Sequence, residues 1–166
     1  VKPYPILSSP KKTFFDEFLG KSILGCGPSA AIIKREVFQE IGGFSGTQYI
    51  GDHELWLKFG AQFSVVKLQP SLVWWRQHDE QQIVSERKNY NIINIRYQLS
   101  LNTLYSNKHL FEENKYIKAI KKLKQNHARL LLRFVLIKRD FKVFRSLYKA
   151  SKLSFIELFR GFKGYI

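Results

Sequence analysis

The amino-acid sequence predicts an α+β fold with short strands in its first half and a helical region in its second half. Two observations support this class. Short β-branched runs bounded by Gly and Pro occur before residue 85, and longer runs with helical apolar spacing follow. Of the 166 residues, 45% are apolar and 15% aromatic, which is enough to build a hydrophobic core. We therefore expect an α+β portion over residues 1–85 and a helical region over residues 86–166.

The elements of the first half follow from local signals. Phe14, Phe15 and Phe18 recur at helical spacing and predict a short helix that ends at Gly20. A second short helix is predicted over residues 35–41, with Gly42 as the left-handed residue that ends it. A third is predicted to begin at Asp52. Strands are predicted at three apolar runs, residues 30–33, 63–68 and 72–75.

The sequence pattern of the second half predicts consecutive helices. Apolar side chains recur every three to four residues in four segments that are separated by polar or turn-forming residues. The predicted helices cover residues 86–106, 113–137, 141–149 and 154–159. The strongest apolar run, residues 130–137, is too short to span a bilayer, which needs about 20 residues.

The positive charge is concentrated in the last third of the chain. The net charge is +15, yet residues 1–114 hold 13 basic and 11 acidic residues, whereas residues 115–166 hold 15 basic and two acidic ones. Because aromatic side chains are interleaved with these cations, we expect contact with an anionic membrane surface. A solvated helical face is the alternative. Nucleic acid is a less favoured partner, since no recognised nucleic-acid motif is present.

Three polar side chains are candidates for chemistry. Asp52 at a helix start fits either an N-cap or an accessible general base. Arg76 and His78 alternate after an apolar run, so both side chains could face one cleft, where Arg suits phosphate and His suits a metal or phosphate. An exposed loop histidine is the alternative for His78. The single cysteine, Cys26, cannot form a disulfide within the chain and is predicted to be a small buried residue.

Three segments in order, GPSAAIIKREVFQEIGGF, DHELWLKFG and WRQH, resemble the C-terminal half of the catalytic domain of family 2 glycosyltransferases, which have the GT-A fold. The resemblance covers about residues 1–85. Gly51 stands where that family usually has the first acid of a pair, so Asp52 is left to act alone. The sequence contains no Asp-x-Asp metal motif and no nucleotide-binding start. We therefore expect the acceptor-side, C-terminal part of a larger enzyme, inactive by itself.

The resemblance also implies roles for individual residues. Asp52 would be the catalytic base, and Gly27, Trp75, Arg76 and His78 would contact substrate, with His78 as a possible metal ligand. The complete enzyme would use a divalent cation, Mn²⁺ or Mg²⁺, with none bound tightly by this part.

The implied reaction transfers a sugar from an NDP-sugar to a saccharide or lipid-linked acceptor with inversion, in surface polysaccharide synthesis. From the basic segment of residues 115–166 we expect the enzyme to be cytoplasmic and to sit on the inner face of the membrane. The alternative is a non-enzymatic basic helical module that binds anionic membrane or nucleic acid.

Overall fold

The computed structural model describes residues 4–69, 72–74 and 89–164, and within these ranges the fold is α+β with helices predominating. The strands are β1 (Ile6–Ser8) and β2 (Val65–Lys67). The helices are α1 (Pro10–Phe18), α2 (Arg35–Glu40), α3 (Gly51–Gln62), α4 (Asn91–Ser106), α5 (Glu113–Leu136), α6 (Phe141–Ser151) and α7 (Phe155–Arg160). Short 3₁₀ turns cover Pro28–Ala30, Lys108–Leu110 and Gly161–Gly164.

The two strands form an antiparallel pair in which Leu7 lies opposite Val66. The strand predicted over residues 63–68 is confirmed at its centre, but β1 was not predicted. The strand predicted over residues 30–33 is wrong, because Pro28 starts a 3₁₀ turn and Ile32 is 96% exposed, with no partner strand among the described residues. Leu72, Val73 and Trp74 form no strand either, and Trp75 lies outside the described residues.

Helices α1 and α3 build the first hydrophobic cluster. Ser9 caps α1 by accepting from the Lys12 N–H, and Pro10 occupies the first turn, where its missing N–H costs nothing. The buried members of this cluster include Phe14, Phe18, Leu55, Leu57, Leu104 and Ala119. Since the last two belong to α4 and α5, the helical region packs directly against α1 and α3.

The predicted end of α2 is confirmed. Gly42 has a φ of +78°, the left-handed conformation that glycine adopts without a steric cost. The ring of Phe44 packs edge-on against Phe38, with 5.7 Å between ring centroids. The Gly-Gly-Phe sequence therefore reverses the chain at the end of α2.

Helices α4, α5, α6 and α7 enclose a second cluster around Leu131 and Leu147. The Asp140 side chain caps α6 by accepting from the Val143 N–H. Ser154 and Glu157 form a reciprocal capping box at α7. The three predicted C-terminal helices are confirmed to within a few residues, and the long helix predicted from residue 86 is seen from Asn91.

Gly161 permits the close approach of the chain after α7 to α5. A Cβ on Gly161 would lie 2.9 Å from the Cβ of Ala128 and 3.0 Å from its carbonyl carbon. Because the helix backbone cannot yield as a side chain does, we expect Gly161→Ala to lower the free energy of unfolding by about 1–3 kcal/mol.

Urea denaturation followed by circular dichroism measures this loss. Gly51→Ala is the matched control, since a Cβ there meets nothing within 4 Å. Equal stability of the two variants would contradict the close packing at Gly161.

Candidate functional site

Asp52 lies in the first turn of α3. The helix begins at Gly51, and Ile50 is the capping position, so Asp52 is the second helical residue and not the N-cap. Its Oδ1 accepts a hydrogen bond of 2.7 Å from the His53 N–H, and the residue is half-buried. An acidic side chain is favourable at this end of a helix because the N-terminal N–H groups carry partial positive charge.

The loop containing Cys26 is fixed to the same helix. Trp56, one turn after Asp52, donates from Nε1 to the Cys26 carbonyl oxygen at 2.7 Å. Partial burial of the thiol raises the pKa of Cys26, and the nearby negative charge of Asp52 raises it further. The prediction that Cys26 is buried is wrong, because the residue as a whole is exposed beside the start of α3.

Gly27 follows directly after the residue that Trp56 holds. It is exposed, and its carbonyl oxygen accepts from the Ala30 N–H at 2.9 Å, which starts the 3₁₀ turn. Gly27 is thus the chain neighbour of Cys26, whose thiol lies near enough to Asp52 to feel its charge. The other predicted site residues, Trp75, Arg76 and His78, lie outside the described residues.

Glu17 sets the path of the chain that leads into this loop. Its Oε2 accepts from the N–H groups of Ile23 and Leu24 at 2.8 and 3.0 Å, and Ser22 donates to the same carboxylate. Leu24 is 5% exposed and packs near Gly60 of α3. A carboxylate from α1 and a core leucine thus position Gly25–Gly27 against α3.

His53 connects the start of α3 to α4, a contact that the sequence did not predict. Its Nε2 lies 3.3 Å from the Ser100 Oγ. Burial is the main cause that lowers the His53 pKa, and the charge of Arg96 acts in the same direction, whereas the charges of Glu17 and Asp52 oppose it. Arg96 donates to the Tyr49 carbonyl oxygen at 3.4 Å. No local motif signals these contacts, because they join residues 47 positions apart.

A second buried polar group lies where α4, α5 and α6 meet. His127 is 3% exposed, and its Nε2 lies 2.9 Å from the Asn94 Oδ1. The Asn94 amide donates onward to the Leu147 carbonyl oxygen at 3.0 Å, and the Tyr97 ring stacks on the imidazole at 4.0 Å. Burial lowers the His127 pKa to about 4 and raises the Tyr97 pKa to about 12, so both are neutral at pH 7.

The junction of α5 and α6 exposes apolar and basic side chains together. We call residues 133–145 the basic corner. Leu136, Ile137 and Phe141 are 47%, 62% and 64% exposed. The exposed cations of the basic corner are Arg133, Lys138, Arg139, Lys142 and Arg145.

Helix α7 exposes part of its apolar surface. Phe155, Ile156 and Phe159 are 73%, 66% and 64% exposed. Leu158 belongs to the second core and is only 7% exposed. Leu158 therefore offers no apolar surface to a membrane, in contrast to Phe155, Ile156 and Phe159.

Residues 4–69, 72–74 and 89–164 contain no group of three His, Cys, Asp or Glu side chains that could hold a metal ion. No helix in that part of the chain is both long enough and apolar enough to cross a membrane. Comparison of the chain with protein-family models, curated proteins and solved structures finds no match. The functional assignment therefore rests on the site geometry and the sequence motifs.

Proposed function

We propose that this chain is the acceptor-side part of a family 2 glycosyltransferase with a GT-A fold. The reaction transfers a sugar from an NDP-sugar to a saccharide or lipid-linked acceptor with inversion. The observation that carries the proposal is that Trp56 of α3 holds the Cys26 carbonyl, and that Cys26 lies near enough to Asp52 in the first turn of α3 to feel its charge. The Gly-Gly-Phe reversal after α2 and the Asp-x-Glu-Leu-Trp start of α3 supply the sequence support.

The chemistry assigned to Asp52 is general base catalysis. Its carboxylate takes the proton from an acceptor hydroxyl, and that oxygen forms a bond to the anomeric carbon. The bond from the anomeric carbon to the diphosphate oxygen breaks on the opposite face, so the configuration inverts and the nucleoside diphosphate leaves. The Gly27 backbone, which has no side chain to obstruct it, borders the space in which the acceptor approaches Asp52.

A divalent cation would stabilise the leaving diphosphate in the complete enzyme. The described residues contain no group of three His, Cys, Asp or Glu side chains that could hold this cation. Within the proposal, Trp75, Arg76 and His78 contact the donor, and His78 is the candidate ligand.

The test of this proposal is a transfer assay with the complete gene product that contains this chain. Radiolabelled UDP- and GDP-sugars are supplied with Mn²⁺ or Mg²⁺ and a membrane extract that provides acceptors. We expect label to enter a saccharide or lipid fraction. A complete gene product that lacks a nucleotide-binding half, or that transfers no label from any donor, would refute the proposal.

The second candidate function, contact with an anionic membrane surface, is favoured by the basic corner. Three exposed apolar side chains there lie among five exposed cations. Each cation near an anionic surface contributes about 1 kcal/mol, and inserted apolar side chains add to that attraction. A peripheral position on the inner face of the membrane is where a lipid-linked acceptor would be found.

We expect the chain to co-sediment with anionic vesicles, and less so at high salt. Replacing Ile137 and Phe141 with Ser should weaken vesicle binding by about tenfold or more, because two exposed side chains lose their insertion energy. The matched control is Leu7→Ser with Ile32→Ser, which changes exposed apolar residues far from the corner in sequence. Equal losses in the two double variants would contradict a role for the basic corner.

A further inference from the structure

A groove of about 500 Å³ runs along the surface between α4 and α5. Its size lies within the range of small-molecule sites. Ile93, Leu130 and Phe134 supply part of its apolar wall, and the groove extends from Tyr90 to Ser100 along α4. Ten helical residues span about 15 Å, so the groove is elongated. An elongated apolar groove fits an alkyl chain better than it fits a compact ring.

Lys138 marks one end of this groove. Its Nζ lies 4.9 Å from the centre of the Tyr90 ring and 4.8 Å from that of Phe134, so two aromatic faces hold the ammonium in place. No carboxylate of the described residues lies within 4 Å of Lys138. Among the described residues that line the groove, Arg96 and Lys138 are the cations and none is Asp or Glu. The charge of this end is therefore positive.

A second groove within the described residues lies between α5 and α7, and its lining includes a carboxylate. It has a volume of about 550 Å³ and contains Lys124 in an ion pair of 2.6 Å with Glu157. That ion pair already neutralises Lys124, one of the cations of this groove. The groove between α4 and α5 differs in that none of its described lining residues is a carboxylate.

The geometry points to binding of an anionic amphiphile, an alkyl chain that lies along the groove between α4 and α5 with its phosphate against Lys138. The apolar wall covers the chain, and the ammonium held by Tyr90 and Phe134 meets the headgroup. Lys138 also belongs to the basic corner. An alkyl chain can therefore enter the groove from a membrane surface that contacts this corner. Ser100, at the other end, contacts His53 beside Asp52.

Calorimetric titration of the full chain with dodecyl phosphate, below its micelle concentration, tests this site. We expect saturable binding of one molecule per chain. Dodecyl maltoside, which has the same chain and a neutral head, should bind about tenfold more weakly because it forms no charge-assisted contact with Lys138. Inorganic phosphate, which has no chain, should show no saturation. If inorganic phosphate bound as tightly as dodecyl phosphate, the alkyl chain would contribute nothing to binding, and the proposal would be overturned.

Two pairs of variants locate the ligand. Lys138→Ala should weaken dodecyl phosphate binding about tenfold and leave dodecyl maltoside binding unchanged, whereas Lys142→Ala, an exposed neighbour outside the groove, should change neither. Leu130→Glu should weaken both ligands about tenfold or more, and Leu136→Glu, similarly exposed but outside the groove, should weaken neither. Thermal denaturation of each variant verifies that it is folded.

Several results would overturn the site. Equal losses in Lys138→Ala and Lys142→Ala would mean that overall charge, and not this groove, attracts the ligand. Equal losses in Leu130→Glu and Leu136→Glu would show that the alkyl chain of the ligand does not lie in this groove. Binding to vesicles of phosphatidylglycerol without any binding of monomeric dodecyl phosphate would assign the lipid contact to the protein surface. Since none of these variants changes Asp52, a failed groove and a failed transferase are distinguishable.

Discussion

Replacement of Asp52 with Asn is expected to lower the turnover number of sugar transfer by the complete gene product about 10²- to 10⁴-fold. The amide cannot take a proton from the acceptor hydroxyl, but its oxygen can still accept the hydrogen bond from the His53 N–H. The start of α3 therefore keeps its structure while the base is lost. Initial rates at saturating acceptor measure the turnover. The dissociation constant of the NDP-sugar should stay within about twofold, because a lost base does not alter ground-state donor binding.

Glu54→Gln is the matched control for Asp52→Asn. Glu54 lies in the same helical turn and forms an ion pair of 2.9 Å with Lys58. A hydrogen bond from Ser45 is the main cause that lowers the Glu54 pKa, so this carboxylate is already committed to structure. We expect Glu54→Gln to retain turnover within about threefold, since an exposed ion pair contributes little. Unchanged turnover in Asp52→Asn, or equal losses in both variants, would refute the assignment of Asp52 as the base.

The helices were predictable because their signals are local. The ends of α2 and α7 follow from Gly42 and from the Ser154–Glu157 capping box, and both devices lie within a few residues of the backbone that they complete. The spacing of Phe14 and Phe18 places one face of α1 in the core for the same reason. Signals that act over such short distances along the chain can be recognised within a few consecutive residues.

The strands were not predictable to the same extent, because a strand needs a partner. Residues 30–33 have the apolar, β-branched composition of a strand, yet Ile32 is exposed and pairs with no strand in the part of the chain that the structure describes. The partner of Val65–Lys67 is Ile6–Ser8, about 60 positions earlier in the chain. Composition gives the tendency to extend, and only the tertiary fold decides which extended segments meet.

The candidate site likewise combines residues that short motifs identify with long-range contacts that no motif identifies. Asp52 and Gly27 were identified from short motifs, and the structure places Asp52 in the first turn of α3 and Gly27 next to the Cys26 carbonyl that Trp56 holds. The bond from Trp56 that holds the Cys26 loop joins residues 30 positions apart, and the contact from His53 to Ser100 joins residues 47 apart. Neither has a fixed spacing that a motif could encode. The exposure of Cys26 was mispredicted for this reason, since it depends on where the loop crosses α3.

The protein should lose stability in mild acid because His127 is buried neutral. Its pKa is about 4 in the folded state against an ordinary value of 6.5, and burial is the cause. Between these values the unfolded chain takes up a proton that the folded chain does not, so stability falls as the pH falls from 6.5 to 4. The slope is about 1.4 kcal/mol per pH unit, and the total loss is about 3 kcal/mol. Above pH 7 this group has no effect on stability.

His127→Gln isolates this contribution. The glutamine amide can donate to Asn94 as the imidazole does, but it does not titrate. Between pH 7.5 and pH 5, the free energy of unfolding measured with urea should fall by about 2 kcal/mol less in this variant than in the natural chain. His53, whose pKa is also lowered by burial, keeps a smaller dependence of the same sign in both proteins. His109→Gln is the control, because His109 is exposed, and it should reproduce the natural pH dependence. A His127→Gln variant as acid-sensitive as His109→Gln would show that His127 is not held neutral in the core.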